Sequence, residues 1–156
     1  MHETEQDHAS VHIPPPLIHG VGVAGGFGLS LWQPLPKPPG FWLPALGVAL
    51  MGFALLLVVT AFREFRRHHN PVRPNQPIET IMTGGPFRLS RNPLYLSLAL
   101  VHAGLALLTR NIWLVVTLLP VLLIIRYYVI AREEAYLGRR FGERYLNYRR
   151  RVRRWL

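Results

Sequence analysis

The sequence predicts an all-α integral membrane protein with about four transmembrane helices and a C-terminal amphipathic helix lying in the membrane interface. Three observations predict it. Half of the 156 residues are hydrophobic although the formal net charge is +10, and the two classes are segregated into blocks. Four blocks are apolar: residues 17–32, 41–62, 94–109 and 112–130, the last interrupted only by Arg126. Arginine is placed asymmetrically about them. Arg63, Arg66, Arg67, Arg73, Arg88 and Arg91 follow the second block, and nine arginines from Arg132 to Arg154 follow the fourth. The connections on the other side hold only Lys37 and Arg110. An excess of Lys and Arg marks the cytoplasmic side of a membrane protein. The 63–91 loop and the C terminus are therefore expected in the cytoplasm, with the chain in the cytoplasmic membrane. An even number of crossings places the N terminus there too.

Residues 1–16 read as a disordered polar tail, and 17–156 as one membrane-embedded domain. The tail carries Glu3, Glu5 and Asp7 and no Lys or Arg, unlike the basic start of a signal peptide. His2, His8 and His12 would bind metal only if brought together, so no metal site is expected. Crossing a ~30 Å hydrocarbon core takes roughly 20 apolar residues. The first helix, 17–32, is short for that and rich in glycine. Its Gly22/Gly26 pair has the small-xxx-small spacing that lets helices approach closely. Pro34, Pro36, Pro38 and Pro39 then impose a turn.

The second helix runs over 41–67, its apolar part continued by a charged stub. Asn70-Pro71 and Pro74 end it, because proline disfavours helix at the residue before it. His68 and His69 read as a solvated pair. A Gly/Pro-containing loop leads to the third helix, 92–109, for which Asn92 is a good N-cap and Pro93 a favoured first residue. Only Thr109-Arg110-Asn111 separates it from the fourth, 112–137, so these two form an antiparallel hairpin. Over 138–155 the pattern turns amphipathic, with Leu137, Phe141, Tyr145, Tyr148, Val152 and Trp155 spaced by fours and threes among arginines. Such a helix lies in the interface or on the cytoplasmic loop, where its arginines attract anionic membrane lipid. This placement of charge accounts for the basic pI without a nucleic-acid partner. The absence of cysteine excludes disulfide and thiolate chemistry.

Two places are unlike ordinary membrane packing. One is Gly84-Gly85-Pro86-Phe87-Arg88-Leu89-Ser90-Arg91-Asn92-Pro93-Leu94-Tyr95. Its glycines permit close backbone approach, and Arg88 and Arg91 beside a helix start favour an anion. The bland alternative is a juxtamembrane loop with snorkelling arginines. The other is Arg126 with Glu133 and Glu134. An intramembrane charge costs roughly 2.5–3.5 kcal/mol on insertion scales, so Arg126 needs a partner. On an α-helix 126, 130, 133 and 137 share a face, yet Arg126 and Glu133 stand about 10 Å apart. The two glutamates diverge by about 100°, so one faces a pocket while the other pairs with a neighbouring arginine, either Arg132 or one in the tail. His102, seven residues after Tyr95, shares its face and reads as an interhelical histidine.

Gly85 to Tyr95, a short hydrophobic hairpin, Arg132-Glu133-Glu134 and Phe141-Gly-Glu-Arg-Tyr-Leu-Asn-Tyr-Arg-Arg-Arg-Val152 together resemble the isoprenylcysteine carboxyl methyltransferase and phospholipid methyltransferase superfamily. The resemblance covers about Thr83 to Trp155. It implies a membrane methyltransferase using S-adenosylmethionine. The superfamily's Arg-His-Pro-x-Tyr motif falls on Arg91, Asn92, Pro93 and Tyr95, and its paired glutamates on Glu133 and Glu134. Asn92 replaces the histidine, which removes a titrating group and keeps a hydrogen-bonding one.

The cofactor pocket implied is Gly85, Pro86, Arg88, Arg91, Asn92, Pro93, Tyr95, Glu133 and Glu134, with Tyr95 and Arg126 at the methyl-transfer end. The acceptor would be a lipophilic or membrane-associated molecule with a carboxyl or amine group, entering laterally from lipid. The competing class is a non-catalytic lipid-binding or assembly protein on the same scaffold, which Asn92 favours. The oligomeric state is left open by the pattern.

Overall fold

The structure, a computed structural model, describes residues 11–70 and 79–156. Arg73 and most of the expected tail, residues 1–10, lie outside the described residues. At the tail's end Val11 is buried against Ile18 and Val129.

Every regular element among the described residues is helical. Helix α1 spans Pro15–Trp32, with proline in its first turn, where a missing N–H costs nothing. Helix α2 spans Leu43–Arg67 and ends on Arg66 and Arg67, which complement the negative end of the helix dipole. A 3₁₀ turn, Gly85–Arg88, precedes α3, Pro93–Thr109. Arg110, in the left-handed region at φ 52°, closes α3. Helix α4, Ile112–Ile124, starts at Asn111, whose side chain accepts from the Trp113 amide at 3.0 Å.

The rod then continues without a break through a π-helical segment, Ile125–Ile130, into α5, Ala131–Phe141. It stops at Gly142, which has φ 51°. Helix α6, Glu143–Arg151, follows. The single amphipathic helix expected over 138–155 is thus two helices and a tail. Gly142 takes a conformation that other residues disfavour, so the helical register does not pass through it.

Among the described residues two helices are long and apolar enough to cross a membrane: α2, and the 30-residue rod Ile112–Phe141. Helix α3 is a shorter apolar helix. Only 22% of the apolar window of α2 and 28% of that of the rod is buried inside the molecule. Leu55, Leu56, Val59, Leu119 and Leu123 face outward. A helix in the core of a water-soluble protein would hide such residues, whereas lipid is a suitable solvent for them.

The helices pair as α2 with α3 and α1 with α4, joined through the α3–α4 hairpin. Glycine sets both spacings. A Cβ on Gly47 would stand 2.5 Å from the Gly104 carbonyl oxygen, so α2 and α3 touch backbone to backbone. A Cβ on Gly26 would stand 2.7 Å from a Leu114 methyl, and one on Gly22 2.5 Å from a Val121 methyl. The Gly22/Gly26 pair therefore seats α1 on α4. Between α1 and α3, His19 and His102 meet edge to face at 5.7 Å. His102 Nε2 lies 3.5 Å from the Thr117 hydroxyl.

Candidate active site

Helix α2 runs toward one end of the bundle, where α3 begins, and a cavity of about 490 Å³ opens there. That is within the range of about 300–1,000 Å³ usual for small-molecule sites. Val58, Phe62 and Phe65 of α2, Leu94 and Leu98 of α3, and Leu137 of α5 give it apolar walls. Its polar side is Arg91, Asn92, Tyr95, Glu133, Glu134, Tyr145 and Tyr148.

The two glutamates divide as their spacing on a helix requires. Glu133 accepts a 2.5 Å hydrogen bond from the Tyr95 hydroxyl, across from α5 to the first turn of α3. Glu134 is 8% exposed and binds two arginines. Arg154 donates to it through Nε at 3.0 Å and Nη2 at 2.5 Å, and Arg91 approaches with Nη2 at 3.1 Å. Among the described residues Arg91 Nε and Nη1 are buried with no hydrogen-bond partner, while the guanidinium as a whole also interacts with the Tyr145 phenol. The hydrogen bond to Glu134 holds the Arg154 guanidinium protonated even more firmly than usual.

The residues after α6 fold back as a strap. The Arg91 amide donates to the Arg153 carbonyl at 3.0 Å. The Arg154 carbonyl accepts from Asn92 Nδ2 at 2.9 Å and from the Ser90 hydroxyl at 3.3 Å. Trp155 packs on the core that includes Val129 and Tyr136. From α6, Tyr148 donates to the Phe87 carbonyl at 2.7 Å. Burial raises the Tyr145 phenol to about 12 and raises Tyr148 as well. Both stay protonated at neutral pH beside Arg91.

Asn92 stands at the N-cap of α3 but makes no capping bond with its side chain. Its amide is turned to the strap instead. This differs from the capping role expected of it, because the Arg154 carbonyl lies within its reach.

Of the residues expected in the pocket, Arg91, Asn92, Pro93, Tyr95, Glu133 and Glu134 line the cavity; Gly85, Pro86, Arg88 and Arg126 do not. Gly85, at φ 50°, is set against Glu64: an added Cβ there would lie 3.1 Å from that carboxylate. Arg88 is exposed and Pro86 buried. Phe87 is the residue of that turn that reaches the cavity. Arg126 is exposed, with its guanidinium 5.6 Å from the Tyr127 ring centroid. The cause is the π segment, whose wider turn breaks the shared face on which 126 and 133 were aligned. His102 is outside the cavity too. The His68 side chain is 35% exposed with its Nδ1 3.0 Å from the Glu64 carbonyl oxygen, and His69 is exposed.

The sequence marks Tyr145 and Tyr148 as part of an amphipathic face and does not place them, or Arg154, at a site. The tail had been named as one source of a partner for the glutamates, but nothing in an arginine-rich run distinguishes Arg154. Glu64, 6% exposed and facing Gly84 and Gly85, was also missed. Its signal is a carboxylate in an arginine-rich helical stub.

The family model for phospholipid methyltransferases matches residues 42–144, two thirds of the chain. The chain belongs to the phospholipid methyltransferase family. The match takes in α2 through the start of α6, and so every cavity-lining glutamate. An uncharacterized protein of Haemophilus influenzae is similar: 43% identical over 65 residues, which is 40% of this chain and all of that protein. No solved structure matches. Membership in the phospholipid methyltransferase family points to methyl transfer on a lipid-related substrate at a membrane.

Proposed function

We propose that this phospholipid methyltransferase family member transfers a methyl group from S-adenosylmethionine to a lipophilic or membrane-associated acceptor carrying a carboxyl or amine. The observation that carries the reading is Arg91. It lines the cavity, and among the described residues two of its guanidinium nitrogens are buried without a partner. Buried donors left unpaired are costly, and a ligand carboxylate satisfies them. The donor has such a carboxylate, together with an ammonium and ribose hydroxyls. When bound, it supplies an electrophilic methyl on a sulfonium.

The protein's part is binding and positioning. Arg91 holds the carboxylate. Glu133, its orientation fixed by Tyr95, holds the ammonium or a ribose hydroxyl. Glu134 is committed to Arg91 and Arg154, so it places Arg91 rather than touching the ligand. Asn92 and Pro93 form the wall beside them, and Tyr95 stands toward the transfer end. The acceptor's apolar part lies along Val58, Phe62 and Leu98. In this reading the four long helical runs all cross the membrane, both termini are cytoplasmic, and 17–156 is one domain.

Titration calorimetry of S-adenosylmethionine and of its demethylated product into detergent-purified protein tests this. Saturable binding, lost on Glu133→Gln, is expected. A folded protein that binds neither compound overturns the reading. One observation favours the alternative of a non-catalytic lipid-binding protein: the Asn92 amide is engaged by Arg154. That alternative predicts lipid binding without donor binding.

A further inference from the structure

We propose that the end of the bundle opposite the active-site cavity holds a second binding site, for the phosphate of an anionic membrane phospholipid, with Lys37 and Arg110 as its cationic ligands. The α1–α2 connection and the α3–α4 turn meet there and line an open cleft of about 200 Å³. Lys37 comes from the first connection and Arg110 from the second, and both line it. These are the two basic residues that the connections at this end possess. The fold brings them to one place.

Neither has an acidic counterpart. No Asp or Glu occurs between residues 8 and 63 or between 80 and 132, a span that includes α1, the proline-rich connection, α3 and α4. Among the described residues neither Lys37 nor Arg110 forms an ion pair. Two like charges converging without a carboxylate repel each other, and an anion between them removes the repulsion.

The rest of the wall suits a phosphodiester with hydrocarbon attached. Ser30 offers its hydroxyl and Asn111 its amide NH2, the Thr109 hydroxyl being donated to the Leu105 carbonyl at 2.7 Å, while Phe27 and Leu35 supply apolar contact. The site is also pre-built. Trp113 Nε1 donates to the Gln33 carbonyl at 2.7 Å and ties one connection to the other. The prolines stiffen the first connection.

Arg110 adds an independent observation. It closes α3 in the left-handed conformation at φ 52°, where glycine or asparagine is the unstrained choice. Backbone economy does not explain an arginine at that position. The cavity lies at the helix ends, the depth at which phospholipid headgroups reside.

The test uses the full-length protein in a mild detergent. Its melting temperature is followed while phosphatidylglycerol, phosphatidylcholine with the same acyl chains, or inorganic phosphate is added. Phosphatidylglycerol is expected to stabilise the protein saturably and phosphatidylcholine to do so much less. The half-saturating concentration should rise about thirtyfold in Lys37→Gln/Arg110→Asn, the loss expected for two basic residues near a membrane surface. Asparagine tolerates the left-handed backbone, so that variant folds. The charge-conserving Lys37→Arg/Arg110→Lys should behave as wild type. Unchanged affinity in the neutralised variant overturns the proposal, because the lipid then binds only at the arginine-rich end. Equal effects of the two lipids also overturn it. Inorganic phosphate acting at the same concentration as phosphatidylglycerol would reassign the site to free phosphate and overturn the lipid.

Discussion

Tyr95 and Glu133 are 38 residues apart in sequence and meet at 2.5 Å, the hydroxyl of α3 donating to the carboxylate of α5. This bond spans the polar side of the cavity. It fixes the one glutamate of the pair that has no arginine on it.

Tyr95→Phe removes the donor and leaves Glu133 with one fewer partner in a half-buried place. Losing a hydrogen bond to a charged group costs about 1.5–3 kcal/mol. Melting temperature should therefore fall, and affinity for the methyl donor should fall with it because Glu133 loses the contact that orients it. Calorimetric titration checks it; wild-type affinity in Tyr95→Phe would remove Tyr95 from the site.

Glu134→Ala should damage stability more than any change at Glu133. It strands Arg91, whose side chain is 9% exposed, in a buried place with no carboxylate. Breaking a buried ion pair on one side costs about 3–5 kcal/mol. Arg154→Gln should cost less, because the Arg154 side chain is 25% exposed and part of its interaction is screened by water. Thermal unfolding of the variants in one detergent gives the order directly.

Gly47→Ala should loosen the α2–α3 pair. The added methyl would meet the Gly104 carbonyl oxygen at 2.5 Å and the Leu108 amide nitrogen at 2.7 Å, both backbone atoms that cannot rotate away. Overpacking typically costs about 1–3 kcal/mol. Gly52→Ala, with nothing within 4 Å of its Cβ, is the control. Equal melting temperatures for the two variants would contradict the close approach.

Alkaline pH should weaken the fold through Tyr145. Its phenol is raised from 10.0 to about 12, first by burial and then by the charge of Glu134. A folded value above the unfolded one means the native state holds the proton more tightly. The stabilisation is complete below pH 10.0 and disappears as pH rises through about 12. Melting temperature should decline across that window, less steeply in Tyr145→Phe. An identical decline in the variant would place the titration elsewhere.

Much of the fold is legible in the sequence because its causes are local. Pro15, Pro44 and Pro93 open helices, Asn111 caps one, and Gly22 and Gly26 mark a close approach that the structure places on Leu114 and Val121. The division of labour between Glu133 and Glu134 follows from their 100° separation on a helix. What was not legible depends on single non-local choices. A π segment has no composition of its own, so the exposure of Arg126 could not be seen in Ile-Arg-Tyr-Tyr-Val-Ile. Gly142 looked like one weak residue in an amphipathic run and is a complete stop. Arg154 is one arginine among many until the chain turns back and sets its carbonyl on Asn92.

That return has a consequence for the order in which the molecule is made. The contacts within hairpins close over short stretches of chain. The strap closes over 62 residues, from Asn92 to Arg154, and joins segments that only a largely assembled bundle brings near each other. Contacts of long sequence separation are slow to form, since their loop entropy is lost before they return any stabilisation. Helices enter the bilayer first and associate afterwards. The strap is thus expected to be the last part of the cavity's polar side to close, with the Asn92 amide unpaired until the Arg154 carbonyl reaches it.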